Sequence, residues 1–87
     1  MNQSILFNDD VAWQEQAQRL VFSAQAYGAT VTCYLSRHRL ELVSGLDLPR
    51  PADLLFTFES VRFDIEELAE VKIEAQEFAE DGAIYLD

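Results

Sequence analysis

Residues 19–36 restrict the fold of this chain more than any other stretch. In "RLVFSAQAYGATVTCYLS", apolar side chains recur at every second position before and after Gly28. The inward positions are Leu20, Phe22, Ala24, Ala26, Val31, Cys33 and Leu35. Period-two alternation with β-branched and aromatic residues is typical of strands that bury one face. Because Gly28 supplies the turn, we predict an antiparallel hairpin in a half-buried sheet.

Short apolar segments outside the hairpin predict further strands. The segments "SILF" (4–7) and "VAW" (11–13) are separated by three polar residues that favour a turn. Near the other end of the sequence, Asp81-Gly82 turns the chain into "AIYL" (83–86). We expect this last segment to join the sheet as a closing strand, which gives four or five strands in all.

A short helix is predicted directly after the hairpin. Ser36 is a residue type that caps helix N-termini, and the following segment "RHRLELVSG" ends at Gly45, which suits a helix C-terminus. Residues 46–51, "LDLPRP", contain both prolines of the chain. Residues before proline avoid the helical region, so we expect an extended connector here.

Residues 52–78 contain neither glycine nor proline, and their apolar residues step by three or four. The stripe comprises Leu54, Phe58, Val61, Ile65, Leu68, Val71, Ala75 and Phe78. Pro51 suits the first position of a helix. The unbroken phase predicts one long helix with a kink near residues 60–64. The alternative is a second helix that starts at Asp64, since Asp64 and Glu67 match a capping box.

These elements define an α+β domain. We predict an antiparallel sheet of four or five strands, with the short helix and one long C-terminal helix packed on one of its faces. Residues 1–87 fit a single domain. A hydrophobic content of 49% supplies a core, although a small one for a chain of this length.

The chain is strongly acidic, with a net charge of −10, and residues 64–81 contribute −7 of it from eight acids and one lysine. Such a chain repels anionic membranes and nucleic-acid backbones, so we expect a protein partner with a basic surface instead. The single cysteine, Cys33, falls on the apolar face of its strand and is expected to be a buried, unreactive thiol. Without a signal peptide or a membrane-length apolar segment, the sequence predicts a cytoplasmic protein.

Four glutamates form the first candidate site. On a continuous helix, Glu66, Glu70, Glu74 and Glu77 step by four, four and three, and they form one ridge away from the apolar stripe. The ridge is either a solvated helix face or a surface that docks a basic partner. No metal or cofactor is expected, because the sequence lacks Glu-x-x-His pairs, a calcium-loop pattern and the cysteines and histidines of a zinc site.

Arg37, His38 and Arg39 form the only basic cluster and the second candidate site. Cationic side chains at the start of a helix oppose its dipole, while the backbone amides there attract anions. One hypothesis is therefore a small-anion site. The other is a surface turn whose charges reach Glu41 or Asp47.

Phe56 and Phe63 lie seven residues apart, on a helix flank partly separate from the main stripe. We expect both to lie in the core beneath the sheet. The alternative is an exposed patch that pairs two chains as a symmetric homodimer or binds another partner.

The order of these segments resembles a known family. An N-terminal "ILF", then "W", "RLVFSA", "VTCYLS", "FESVRFDIEELAEVKI" and a final "EDGAIYL" are similar to a family of small proteobacterial proteins known as a domain of unknown function. The matching positions are Trp13, Phe22, Cys33, Ser36, Arg62, Ile65, Ala69, Lys72, Asp81 and Gly82. The resemblance covers nearly the whole chain. It implies one α+β domain with the long helix, and it carries no catalytic motif.

Together these observations favour a non-catalytic accessory or regulatory module that acts through protein contacts. The alternative is an acidic mimic that occupies a nucleic-acid-binding surface. A third hypothesis is a small-anion-binding protein or an enzyme that uses residues 37–39. A deep polar pocket around His38 would favour the enzyme, and a flat apolar patch would favour docking. Two rows of carboxylates at phosphate-like spacing would favour mimicry.

Overall fold

The computed structural model describes residues 4–47 and 50–87, so part of the predicted 46–51 connector lies outside the described residues. The elements in chain order are β1 (Ile5–Phe7), β2 (Ala12–Gln14), β3 (Arg19–Ala26), β4 (Ala29–Ser36), α1 (Arg37–Ser44), α2 (Pro51–Ser60), α3 (Arg62–Glu74) and β5 (Ile84–Leu86). This is an α+β fold with a five-stranded sheet, as the sequence predicts.

The predicted hairpin forms the centre of the sheet. Strands β3 and β4 pair antiparallel over their full eight residues, from Arg19 opposite Ser36 to Ala26 opposite Ala29. Both residues of the connecting turn have positive φ, 53° at Tyr27 and 80° at Gly28. A two-residue turn with this backbone twists in the same sense as the strands, which is why it closes hairpins well.

Short strands complete the two edges of the sheet. Both β1 and β2 pair antiparallel with β3, at opposite ends of it, so together they form one interrupted edge strand. At the other edge β5 pairs with β4 in parallel, so the sheet is mixed and not purely antiparallel as predicted. Helices α1, α2 and α3 all lie between β4 and β5 in the sequence. They carry the chain back to the end of the sheet where β4 begins, so β5 runs in the same direction as β4.

Helix α1 has the caps predicted from the sequence. The Ser36 hydroxyl accepts a 3.0 Å hydrogen bond from the Arg39 backbone N–H, which satisfies one donor of the first turn. At the other end, Gly45 adopts φ 73° and its N–H donates to the Glu41 carbonyl. That left-handed conformation favours glycine.

The predicted single helix is instead two helices, and the break between them at Val61 falls within the predicted kink at residues 60–64. There the backbone leaves the helical region with φ −115° and ψ 19°. The interruption has a tertiary cause: α2 packs on α1 and β2, whereas α3 packs on β5, so the chain must change direction. The alternative of a second helix is confirmed, but its predicted start at a capping box on Asp64 is wrong, because α3 begins at Arg62 and has no side-chain cap. Helix α3 ends at Glu74, so the last predicted helical turn does not form.

The buried face of α3 differs from the predicted stripe. Its buried residues are Ile65, Ala69 and Ile73, which step strictly by four. Leu68 and Val71, which the stripe placed in the core, are 36% and 60% exposed. They therefore give α3 an apolar flank that its neighbours do not cover.

The core lies between one face of the sheet and the three helices. Phe22 of β3 is at its centre, with ring centroids 6.2 Å from Phe7 and 5.3 Å from Phe58. Cys33 is fully buried in the same cluster, as predicted. Burial raises the pKa of the Cys33 thiol to about 12, with a further contribution from the charge of Asp10. The thiol therefore stays protonated and unreactive at neutral pH.

Candidate functional site

Arg62 joins the helices to the loop between β1 and β2. Its Nε donates to Glu66 at 2.9 Å, its Nη1 to Glu59 at 3.0 Å, and its Nη2 to the Asn8 carbonyl at 2.6 Å. The Arg62 side chain is only 13% exposed. Burial opposes the charged form, but the hydrogen bond to Glu66 and the neighbouring carboxylates prevail and raise the pKa of Arg62. This network holds the start of α3 beside strand β1.

Strand β1 keeps one backbone edge unpaired within the described chain. The Asn8 N–H donates to the Ser23 carbonyl, and the Tyr27 N–H donates to the Ser4 carbonyl. Alternate residues of an antiparallel strand form the hydrogen-bonded pairs, so Leu6 also faces β3. The backbone groups of Ile5 and Phe7 therefore point away from the sheet.

A groove of about 280 Å³ runs along this edge, between β1 and one flank of α3. We call it the edge groove. Its lining residues are Ile5, Leu6, Phe7, Phe63, Glu66, Glu67 and Glu70. Phe63 is 86% exposed and Leu6 is 63% exposed, so an apolar surface lies next to a row of carboxylates. The prediction that Phe63 belongs to the core is therefore wrong.

The predicted glutamate ridge divides between different surfaces. Glu66 and Glu70 are half-buried and line the edge groove, where Glu66 is bound to Arg62. Glu74 is the last residue of α3, and Glu77 lies beyond the helix and lines a different cavity. The structure therefore replaces one straight ridge with a shorter acidic flank. Glu67 also belongs to this flank. The sequence prediction omitted it because the ridge was traced from Glu66 in steps of three and four.

Phe56 is not part of the edge groove. It lies on α2 and is 78% exposed, so the prediction that it is a core residue is also wrong. The buried positions of α2 are Leu54, Thr57 and Phe58, and Phe56 points away from them. The predicted pair of phenylalanines is thus exposed, but its two members lie on separate helices.

The predicted basic cluster does not converge on one point. Arg37 forms a 3.7 Å ion pair with Glu41 and donates to the Gln18 side chain, which is the surface-turn arrangement. His38 is exposed, while the Arg39 Nε donates to the backbone oxygen of Asp87 at 2.8 Å. Arg39 is the only member of the cluster that lines the cavity next to β5.

Within residues 4–47 and 50–87, no group of three or more His, Cys, Asp and Glu side chains could hold a metal ion. The same part of the chain contains no helix that is both long and apolar enough to cross a membrane.

The fold is that of a small α+β domain, with three helices on one face of a mixed five-stranded sheet. The chain belongs to a family described as "Protein of unknown function (DUF1488)", whose family model matches residues 5–86. This confirms the resemblance found in the sequence.

Relatives from several bacteria share the full length of the domain. "Uncharacterized protein YrdB" of Escherichia coli K12 is 34% identical over 86 residues, which is 99% of each chain. Its counterpart in Shigella flexneri is 33% identical over the same length. A crystal structure of a DUF1488 protein of unknown function from Shewanella loihica PV-4 superposes with a TM-score of 0.89 at 37% identity, covering 99% of this chain and 94% of that one. The solved relative shares the fold of this chain, and the names of all three relatives assign no activity to them.

Proposed function

We propose that this protein is a non-catalytic module of the bacterial cytoplasm that binds a basic, extended segment of a partner protein in the edge groove. The observation that carries the proposal is the combination in one groove of an open strand edge, an exposed phenylalanine and three glutamates. Each of these features matches one property of such a segment.

The strand edge provides the backbone contacts. The outward N–H and C=O groups of Ile5 and Phe7 are positioned to pair with one additional strand. Addition of a strand to a sheet edge is a common way to bind an extended peptide, because the main-chain hydrogen bonds do not depend on the peptide sequence. An edge of three residues offers few such bonds, so side-chain contacts must supply the rest of the affinity.

The flank of α3 provides the selectivity. Side chains of an added strand that point toward α3 would meet Phe63, Glu66 and Glu70. Apolar residues would cover the exposed ring, and lysine or arginine would pair with the carboxylates. The net charge of −10 also attracts a basic partner from a distance and speeds the encounter at low salt.

A second copy of this chain is a poor occupant of the groove. Antiparallel pairing of two β1 edges would bring two sets of acidic side chains against each other, and like charges across an interface cost free energy. The acidic mimic is not favoured either. Of the glutamates predicted to form one row, Glu66 and Glu70 line the groove, whereas Glu77 lies beyond α3 and lines a different cavity. An evenly spaced row that imitates phosphates is therefore not supported.

The proposal is tested by affinity capture from a native bacterial lysate at low and high salt, followed by mass spectrometry. The wild-type protein is compared with a groove variant that carries Glu67→Gln and Glu70→Gln. A control variant carries Asp47→Asn and Glu80→Gln, two exposed positions outside the groove. Both variants lose two negative charges. A difference in binding between them therefore reports on the location of the charges and not on the net charge.

We expect at least one basic protein to bind the wild type and the control at low salt, to bind the groove variant less, and to dissociate at high salt. Capture of the same partners by the groove variant and the wild type at both salt concentrations would contradict the proposal. The melting temperatures of all three proteins are measured alongside, and equal values exclude misfolding as the cause of lost binding.

A further inference from the structure

Four of the six lysine and arginine side chains of this acidic chain are engaged, and the other two lie close together. Arg37, Arg50 and Arg62 form ion pairs with carboxylates, and Arg19 bonds to Gln14 and stacks on the ring of Tyr34 at 3.7 Å. Two cations remain. Arg39 donates only through Nε, to the backbone oxygen of Asp87, and Lys72 forms no ion pair within residues 4–47 and 50–87.

These two cations line the same cavity, of about 210 Å³, on the flank of α3 opposite the edge groove. We call it the α3–β5 pocket. Its lining residues are Arg39, Leu68, Val71, Lys72, Glu77 and Leu86. The half-exposed Leu68 and Val71 are the positions that the sequence predicted for the core. The pocket thus combines three aliphatic side chains, two cations and one carboxylate.

We propose that the α3–β5 pocket binds a free aliphatic α-amino acid. The Nη groups of Arg39 and the Lys72 ammonium are the donors for the ligand's carboxylate, since a planar guanidinium fits a carboxylate well. Glu77 is the partner for the ligand's ammonium group. Leu68, Val71 and Leu86 cover its side chain. The proposal concerns a different surface from the edge groove and does not depend on it.

The size and polarity of the pocket select this class of ligand. Pockets for drug-sized ligands measure about 300–1,000 Å³, and the α3–β5 pocket is smaller, at about 210 Å³. A phosphate ester or nucleotide would bring two or more negative charges next to Glu77, whereas a zwitterion pairs its ammonium with that carboxylate. An inorganic anion would leave the aliphatic side chains exposed to water, so it would gain nothing from them.

The test uses the full-length isotope-labelled protein and three probes of nearly equal size, titrated separately and followed by NMR chemical shifts. L-Leucine carries both charges, 4-methylpentanoate lacks the ammonium, and L-leucinamide lacks the carboxylate. We expect L-leucine to shift the backbone amides of Leu68, Val71 and Leu86 in a saturable manner. The other two probes should bind at least about tenfold more weakly, because each leaves a charged group of the pocket without its partner.

Two variants test the roles of the charged side chains Lys72 and Glu77 in ligand binding. Lys72→Gln should weaken L-leucine binding by about tenfold, since it removes a charged donor to the carboxylate. Glu77→Gln should change the selectivity: L-leucine binds more weakly and 4-methylpentanoate binds more tightly than to the wild type, because a repulsive carboxylate is removed. A variant that is merely destabilised would lose affinity for both ligands. Arg50→Gln, an exposed position outside the pocket, is the control and should bind as the wild type does.

Three results would overturn the proposal. One is the absence of shifts around the α3–β5 pocket at an L-leucine concentration of about 10 mM. A site that does not bind at this concentration is too weak to be useful. The second is equal binding of L-leucine and 4-methylpentanoate to the wild type, which would remove the role of Glu77. The third is L-leucine binding that Lys72→Gln leaves unchanged.

Discussion

Replacement of Arg62 by methionine tests how the loop between β1 and β2 is held to the helices. Methionine keeps an unbranched apolar stem that can still cover Phe58, whose ring lies 5.1 Å from the Arg62 guanidinium carbon. It removes the donors to Glu66, Glu59 and the Asn8 carbonyl. Any loss of stability therefore reports on the charge and the hydrogen-bond donors of Arg62, including its cation–π contact with Phe58, and not on the packing of its stem.

The expected loss follows from the exposure of each partner. A hydrogen bond to a charged group contributes about 1.5–3 kcal/mol, and the bond to Glu66 deserves a value in this range because the two side chains are only 13% and 19% exposed. The Glu59 side chain is 53% exposed, so solvent screens that pair and reduces its contribution to about 0–1 kcal/mol. Loss of the donor to the Asn8 carbonyl adds about 1 kcal/mol. We expect a total of about 2.5–5 kcal/mol.

Urea and thermal unfolding, followed by circular dichroism at pH 7, measure this change. For a domain of this size, a loss of about 2.5–5 kcal/mol lowers the melting temperature by roughly 10–40 °C. The control is Arg50→Met, because the ion pair between Arg50 and Asp53 is exposed and lies within the N-terminal turn of α2. We expect that variant to change stability by less than about 0.5 kcal/mol. If Arg62→Met is as mild as the control, the network does not anchor the loop.

Two further predictions concern the core and the closing strand. Ile65→Asp places a carboxylate at a fully buried position of α3. This should cost several kcal/mol of folding free energy, which is enough to abolish the cooperative melt. A melt near the wild-type temperature would show that Ile65 is not a core residue. Tyr85→Phe removes a 2.6 Å hydrogen bond to Asp81. That bond lowers the pKa of Asp81 below 3.8 and raises the pKa of Tyr85 above 10.0. Its contribution should therefore be lost as the pH falls through the lowered Asp81 value and as it rises through the raised Tyr85 value. Melting curves of wild type and Tyr85→Phe should thus differ most between these limits, and a pH-independent difference would contradict this linkage.

The central hairpin could be predicted from sequence because its determinants are local. Alternation from Leu20 to Leu35 places every inward residue on one face, and the register follows from the turn at Tyr27-Gly28. The cap of α1 at Ser36 is local in the same sense. In each case the residues that decide the structure lie within a few positions of one another.

The sequence predicts the break at Val61 only as a kink near residues 60–64, and it does not show why the helix ends there. Neither glycine nor proline marks it, and the apolar steps continue through it without a change of phase. The chain turns there because α2 and α3 pack against different strands, which is a property of the complete fold. The direction of β5 has the same origin, since its parallel pairing depends on the path through all three helices.

Both candidate sites also depend on contacts between distant residues. The edge groove brings Phe7 and Phe63 together, and the α3–β5 pocket brings Arg39 next to Lys72. The sequence identified the acidic flank and one of these cations, but it did not show which residues face each other. A helical projection of α3 would have added Glu67, since it lies three residues before Glu70 and side chains three or four residues apart are neighbours on a helix.

Hydrogen exchange followed by NMR tests the edge groove most directly. The labelled protein is mixed at low salt with a synthetic peptide that carries both lysine and valine on the same face of an extended strand, and the same peptide with glutamate in place of lysine is the control. We predict that only the lysine peptide protects the backbone amides of Ile5 and Phe7, that it shifts Phe63 and Glu70, and that high salt reverses both effects. Protection of Ile5 and Phe7 that is absent with the lysine peptide, or equal with both peptides, would contradict the account.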